Sequence, residues 1–127
     1  MEWKDQIDTS IPTLLIVSGV FQYFFEEKII EFIKNLKKEF PYGELIFDTA
    51  RKKTGLRFAN WYIRRTGNLE ALMHFYIEDS VDFSKKTDTI LVEELIFFKD
   101  AREILRKKLK FITKLFMKIA DYKRQAL

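Results

Sequence analysis

The fold is decided by one stretch, Thr13-Leu14-Leu15-Ile16-Val17, which stands between Pro12 and Gly19. This run is apolar without alternation, and it is too short for a helix. Such a run is typical of a strand covered on both faces, as in a parallel sheet flanked by helices. We therefore predict a buried β-strand at 13–17, at the centre of the fold.

A helix and a second strand are predicted to follow. Apolar residues recur at helical spacing over 29–40, and the acidic pair Glu26-Glu27 suits a first turn because it complements the helix dipole. We predict a helix over 26–39, ended by Pro41-Tyr42-Gly43, and a second strand at Glu44–Asp48. The three elements form a βαβ unit, for which parallel strands and a right-handed crossover are expected.

The remainder of the chain has weaker patterns. We predict short helices at Leu56–Arg64 and at Asn68–Phe75, with Asn68 as N-cap, and a strand at Thr89–Phe98. Asp100 is predicted to cap a last helix that runs to about residue 122. Its predicted buried stripe comprises Ile104, Leu105, Leu109, Ile112, Leu115, Phe116 and Ile119. We take residues 1–127 as one domain.

The predicted sheet is incomplete for a strand that is buried on both faces. It has only about three or four strands, whereas doubly wound domains have more and carry a Gly-rich turn after the first strand when they bind nucleotides. The four glycines, at 19, 43, 55 and 67, are too far apart to form such a turn. We therefore expect an α/β fold that forms part of a larger sheet.

Composition excludes several kinds of site. The chain has no Cys and a single His, His74, so thiolate chemistry is excluded and neither a zinc site nor a Ser-His-Asp triad is expected. We assign His74 a structural or surface role. No apolar run approaches the about 18 residues of a membrane span, and no signal peptide is expected. Together with the lack of Cys, this favours a cytoplasmic location.

The positive charge of the chain is concentrated in its last segment. The net charge is +4, yet residues 99–127 carry ten Lys/Arg against three Asp/Glu. We interpret this segment as the solvated outer face of a helix. Binding to nucleic acid or to an anionic membrane surface is the alternative, and neither is expected as a partner.

One segment is similar to a known family. Residues 12–24 (PTLLIVSGVFQYF), then Glu26-Glu27, a helix, Phe40-Pro41 and Glu44–Asp48 resemble the middle of the leucine carboxyl methyltransferase-like family. Its members are S-adenosylmethionine-dependent O-methyltransferases. The family's pattern is Pro-Thr, four apolar residues, Glu-Gly, three mostly apolar residues, Tyr and an acidic helix start. The resemblance covers about residues 11–48 well and the remainder loosely.

The resemblance implies a partial Rossmann-like sheet of the class I methyltransferase type, with flanking helices but without the N-terminal strands and the last strand. S-adenosylmethionine would be the cofactor of the complete fold, with Ser18 and Gly19 at its pocket, although the family has a glutamate where this chain has Ser18. The other partner would be a small-molecule methyl acceptor. Tyr23 matches the family's tyrosine and is a candidate substrate-binding residue.

Other roles for these residues stay open at this point. Gly19 and Tyr23 also suit a turn and a packing role. Asp48 suits a turn or a helix N-cap as well as it suits catalysis. Trp61, with Phe58 and Tyr62, is a second candidate for contact with the acceptor, and packing in the core is the alternative role for these rings.

Two functions follow as expectations. In the first, the chain is the C-terminal portion of an O-methyltransferase that transfers a methyl group to a carboxylate or hydroxyl. It would be inactive alone and would need the missing N-terminal half. In the second, the chain is a small interaction module that dimerises or binds a protein through an exposed sheet edge and an aromatic surface. Neither function involves a metal.

Overall fold

The computed structural model describes residues 6–95, 98–115 and 117. The chain consists of two compact units, Met1–Ile90 and Leu91–Leu127, and each is described by itself. The first unit is mixed α/β, which confirms the predicted fold class at this level. The assignment of 1–127 to one domain stays a prediction.

The sheet of the first unit has two parallel strands. β1 spans Thr13–Val17 and β2 spans Gly43–Phe47, with Leu15 opposite Leu45. The helix between them, α1, spans Glu26–Glu39. This arrangement confirms the predicted βαβ unit with parallel strands, although β2 begins and ends one residue earlier than predicted.

β1 is covered on one face only. Leu14 and Ile16 are 54% and 68% exposed, whereas the alternate residues Thr13, Leu15 and Val17 are partly buried. On β2, Ile46 is 49% exposed. Successive side chains of a strand point to opposite faces, so these three residues lie on one face of the sheet. The prediction of burial on both faces is wrong, because nothing among the described residues covers this open face, defined as Leu14, Ile16 and Ile46.

The core lies on the other face of the sheet. Phe75 is its most buried aromatic side chain, 1% exposed, and it packs edge-to-face on Phe21 with the ring centroids 6.3 Å apart. Partly buried Val17, Leu45 and Phe47 contribute the strand side chains. The buried members of the core are Phe21, Ile29, Ile33, Phe75, Ile77 and Phe83.

A helix that the sequence did not predict, α3, spans Ser80–Thr87 and packs on α1. Asp79 caps it by accepting hydrogen bonds from the backbone N–H groups of Val81 and Asp82. At its other end Thr87 is fully buried, and its hydroxyl donates to the Phe83 carbonyl at 3.0 Å. The buried hydroxyl is therefore satisfied within the helix.

Two ion pairs link this end of α3 to α1. Lys86 Nζ lies 3.0 Å from Glu26 Oε1, and Lys37 Nζ lies 2.6 Å from Asp88 Oδ2. Asp88 follows α3 in the left-handed conformation, with φ of 55°. Glu26 is the first residue of α1 and Lys37 lies in its last turn. The C-terminal end of α3 is therefore joined by ion pairs to both ends of α1.

The middle of the chain departs from the prediction. α2 spans Lys53–Arg65 and includes the predicted helix at Leu56–Arg64. The helix predicted at Asn68–Phe75 is wrong, since only Leu69–Ala71 forms a 3-10 turn and the Asn68 side chain makes no capping hydrogen bond. The side-chain amide of Asn60 instead binds both the N–H and the carbonyl of Met73, each at 2.7 Å. These bonds tie α2 to the segment that follows the 3-10 turn.

The described part of Thr89–Phe98 does not form the predicted strand. Residues 89–95 have no strand partner, and residues 96 and 97 lie outside the described residues. Ile90 and Val92 are 90% and 79% exposed. Strand propensity needs neighbouring strands to be expressed, and among the described residues none pairs with this segment.

The single long helix predicted from Asp100 is also wrong. α4 spans Lys99–Ile104 with Phe98 as N-cap, so Asp100 lies in the first turn, and a separate helical stretch covers 111–115. The predicted buried stripe is largely exposed: Ile104 81%, Leu105 37%, Ile112 79% and Leu115 48%. Phe116 and Ile119 fall outside the described residues. Among the described residues of the second unit there is no sheet on which this stripe could pack, because the described strands are β1 and β2 of the first unit.

Candidate functional site

The two strand ends meet at the carboxyl edge of the sheet, because β1 and β2 are parallel. Gly19 follows β1 by two residues and has a φ of +68°, a conformation that favours glycine. Its backbone N–H donates to Oδ1 of Asp48, the residue directly after β2, at 2.7 Å. Asp48 therefore ties the two strand ends together, which is a structural role for this carboxylate.

Gln22 is the polar residue of this edge that sequence reasoning missed. Its backbone carbonyl accepts from the N–H groups of His74 and Phe75 at 2.6 and 3.3 Å. Its side-chain Nε2 lies 3.9 Å from the position that a Cβ on Gly19 would take. Its Oε1 is buried without a hydrogen-bond partner among the described residues. Polar groups of Ser18, Gly19, Gln22 and Asp48 thus form what we call the carboxyl-end site.

Exposed aromatic side chains directly follow the Gly19 turn along the chain. Tyr23 ends the 3-10 turn Phe21–Tyr23 and is 42% exposed, and Phe24 and Phe25 are 50% and 61% exposed. The ring of His74 stacks on Phe25 with the centroids 4.3 Å apart. The structure therefore brings three predicted site residues, Ser18, Gly19 and Tyr23, to one short loop with an exposed aromatic rim.

Trp61, the fourth predicted site residue, belongs to a different surface. It lies on α2, where its ring stacks on Phe58 with the centroids 5.9 Å apart and carries the Arg65 guanidinium at 4.0 Å. Phe58, Trp61 and Tyr62 are 71%, 49% and 63% exposed, so core packing, the alternative for these rings, is wrong. No recorded contact among the described residues joins Trp61 to the carboxyl-end site.

The carboxyl-end site does not by itself fit S-adenosylmethionine. The Gly19 N–H, which would be the donor for a ligand, is already bonded to Asp48. The position where the family has a glutamate is Ser18, whose hydroxyl carries no charge for a cofactor. No metal site compensates, since no cluster of three or more His, Cys, Asp or Glu occurs in the described part of the chain. Nor is any helix there long and apolar enough to cross a membrane.

Comparison with known proteins found no match to a family model, to a curated protein or to a solved structure. The similarity of residues 11–48 to the methyltransferase-like family therefore stays a prediction.

Proposed function

We propose that this chain is the C-terminal layer of a Rossmann-like, S-adenosylmethionine-dependent O-methyltransferase. It becomes active when further strands complete its sheet, and the product is then a small molecule methylated on a carboxylate or hydroxyl. The observation that carries the proposal is the open face of the sheet, which adjoins a strand end with the family's glycine and tyrosine.

The open face supports completion by further structure on energetic grounds. Leu14, Ile16 and Ile46 are each about half exposed or more. Full burial of such a side chain contributes roughly 1.5–3 kcal/mol, so covering what is exposed contributes about 1 kcal/mol for each. A few kcal/mol is a large fraction of the stability of a small domain. Covering this face would therefore add to the stability of a completed sheet, although these three side chains alone would not hold a separate partner.

The edges of the sheet support the same conclusion. Among the described residues β1 pairs only with β2, so each strand has one edge whose backbone groups face no other strand. Unpaired strand edges are sites where another strand adds readily. A parallel sheet with two strands is also small for this fold type, whose sheets are usually buried on both faces.

The carboxyl-end site supports the assignment to this kind of enzyme. Ligands of open α/β sheets bind outside the carboxyl ends of the strands, where Gly19 and Tyr23 lie. The completing segment would supply most cofactor contacts. The part of this chain would be to hold the Gly19 loop through Asp48 and to offer Tyr23 and its aromatic neighbours to the methyl acceptor.

A complementation experiment tests the proposal. The DNA upstream of Met1 is read for a segment that encodes a Gly-x-Gly turn, that segment is co-expressed with this chain, and S-adenosylmethionine is titrated in by calorimetry. We expect no binding by either part alone and saturable binding by the complex. Saturable binding by this chain alone would contradict the need for completion. A complex that binds no cofactor would contradict the assignment as a methyltransferase.

Association of two copies through the same open face is a second candidate, favoured by the exposure of Leu14 and Ile16. Three side chains fall well short of the about 800 Å² per partner that a standard interface buries, so strand edges would have to pair as well. Sedimentation velocity distinguishes the candidates. A stable dimer that is lost in Ile16→Glu supports self-association, and a monomer at all concentrations excludes it.

A further inference from the structure

The helix α2 has an unusual charge composition. Four of its residues are cationic, Lys53, Arg57, Arg64 and Arg65, and none is acidic. Within the described residues no carboxylate forms an ion pair with these side chains. The helix therefore presents uncompensated positive charge, which attracts an anionic partner and disfavours the packing of α2 against its copy in a second molecule.

The side of α2 that faces solvent is aromatic. Leu56 is buried and Ile63 partly buried on the inner side. At about 100° per residue, Phe58, Trp61 and Tyr62 fall on the opposite side, which agrees with their exposure of 71%, 49% and 63%. Amphipathic helices usually place polar residues there, so this ring surface needs a physical explanation.

Cations and rings form two parallel rows on this helix. Lys53, Arg57 and Arg64 fall within about 40° of one another around the axis, along one flank of the ring surface. The other flank carries Gly55 and Ala59, which are uncharged. Charge is therefore present on one side of the rings only. We call the rings together with the flanking cations the α2 ridge: Lys53, Arg57, Phe58, Trp61, Tyr62, Arg64 and Arg65.

The rings are arranged as a stack rather than as a dispersed apolar patch. Phe58 and Trp61 are inclined by only 25°, and the Arg65 guanidinium lies over Trp61 at 4.0 Å. A planar cation on an indole is a cation–π contact, and it keeps the ring oriented. A flat group that enters from solvent finds the 71% exposed Phe58 ring at the free end of this stack.

We propose that the α2 ridge binds single-stranded nucleic acid, with a base stacked on the exposed Phe58 ring at the free end of the stack and phosphates bound by Lys53, Arg57 and Arg64. Single-strand sites in proteins combine a cationic track for the backbone with aromatic side chains that stack on bases. A membrane fits less well. Helices that lie in a lipid interface carry cations around a continuous apolar face, whereas Arg65 lies in the middle of this one. The inference is independent of the proposed methyltransferase activity.

Fluorescence of Trp61 gives a direct test with the full chain. In a Trp3→Phe background, Trp61 is the only remaining tryptophan. Titration with oligothymidylate or oligouridylate is expected to quench its emission saturably, because a base stacked on Phe58 extends the stack that contains the Trp61 ring and changes the surroundings of that ring. Anisotropy of the labelled oligonucleotide measures the affinity in parallel. We expect Phe58→Ala and Trp61→Ala each to weaken binding about tenfold, the usual effect of losing one stacking ring.

The cations that flank the rings are tested separately, by the salt dependence of binding and with variants on other surfaces as controls. Arg57→Gln together with Arg64→Gln should weaken binding to all sequences alike. It should also lower the slope of log affinity against log salt by about 1.4, from the single-strand coefficient of about 0.7 per phosphate contact. Lys38→Gln and Tyr42→Ala, on other exposed surfaces, should change affinity less than twofold. Circular dichroism confirms that each variant is folded.

Three results would overturn the inference. One is an absence of saturable quenching by single-stranded oligonucleotides at low salt. Another is binding that the α2 variants weaken no more than Lys38→Gln does. The third is tighter binding to a duplex of the same length, or to phosphatidylglycerol vesicles, than to the single strand, because stacking on exposed rings requires unpaired bases.

Discussion

The backbone N–H of Gly19 and the carboxylate of Asp48 lie 2.7 Å apart and join the ends of the two parallel strands. The two residues are separated by 29 positions, and α1 lies between them. One hydrogen bond thus closes the βαβ unit at the edge where ligands of open α/β sheets bind. The same hydrogen bond occupies the Gly19 N–H, the donor that a cofactor would need. At this edge the loop is therefore held in place, but it does not form a complete cofactor site.

Replacement of Asp48 should remove the hydrogen bond that joins the two strand ends and so destabilise the protein. Asp48→Ala removes the acceptor of the Gly19 N–H and should lower the free energy of unfolding by about 1.5 kcal/mol, at the low end for a hydrogen bond to a charged group because the site is partly exposed. Asp48→Asn retains an acceptor oxygen and should lower it by less than half as much. Urea unfolding measures both. Equal losses would show that charge, rather than the hydrogen bond, is what matters.

Truncation of Phe75 should be far more damaging than truncation of an exposed ring. Phe75 is 1% exposed and contacts Phe21, Phe47 and Phe83, so Phe75→Ala should cost about 3–5 kcal/mol. Phe58→Ala is the matched control, since Phe58 is 71% exposed, and should change stability by less than about 0.5 kcal/mol. Thermal or urea unfolding gives both values. Similar losses for the two variants would contradict the described core.

The buried hydroxyl of Thr87 should increase the free energy of unfolding, because it is hydrogen-bonded. It donates to the Phe83 carbonyl and lies 2.8 Å from the Thr89 hydroxyl oxygen. Thr87→Val keeps the shape and loses these bonds, for an expected cost of about 1 kcal/mol. Thr87→Ser keeps the hydroxyl and loses a buried methyl, for a similar cost of about 1 kcal/mol. A Thr87→Val variant that is more stable than the native chain would show that burial of the hydroxyl is a net penalty.

The ion pair between Lys37 and Asp88 should make the free energy of unfolding depend on pH in the acidic range. A hydrogen bond from Lys37, together with its charge, lowers the pKa of the Asp88 carboxyl from the ordinary value of 3.8. A group whose pKa is lowered on folding stabilises the protein above its unfolded pKa, and that contribution is lost as the pH falls through the folded pKa. Asp88→Asn, which also tolerates a positive φ, should therefore be less stable than the native chain at neutral pH.

The deficit of Asp88→Asn should shrink as the pH falls below 3.8, the ordinary pKa of the unfolded carboxyl, and should be lost once the pH falls through the lower folded pKa. Salt should reduce it as well, because both partners are exposed and screened. Urea unfolding across this pH range measures the difference. A deficit that is constant with pH would show that the amide is unfavourable for another reason.

The sequence predicted the elements whose signals are local. Glu26-Glu27 at the start and Pro41 after the end delimited α1, and the apolar run at 13–17 located β1. α3 was missed because its sequence, SVDFSKKT, is mostly polar. Its one signal was Asp79, an N-cap type of residue followed by another aspartate three positions later.

The failures concern burial, which depends on neighbours rather than on local pattern. The apolar run of β1 predicted cover on two faces, but Leu14 and Ile16 are exposed because this unit covers one face only. The strand predicted at 89–98 fails for the same reason, since β propensity has no effect without a partner strand. At the candidate site, Ser18, Gly19 and Tyr23 could be predicted to lie together, whereas Gln22 carried no sequence signal.

Hydrogen exchange of the β1 amides tests the incomplete sheet most directly. The isolated chain is held at a concentration where sedimentation shows a monomer, and exchange is followed by NMR at each residue of 13–17. With a partner strand on one edge only, we predict that the amides facing β2 are protected and that the alternate, outward amides exchange within the dead time. Protection of all five amides in the monomer would contradict an open sheet, and with it the proposal that further strands complete this protein.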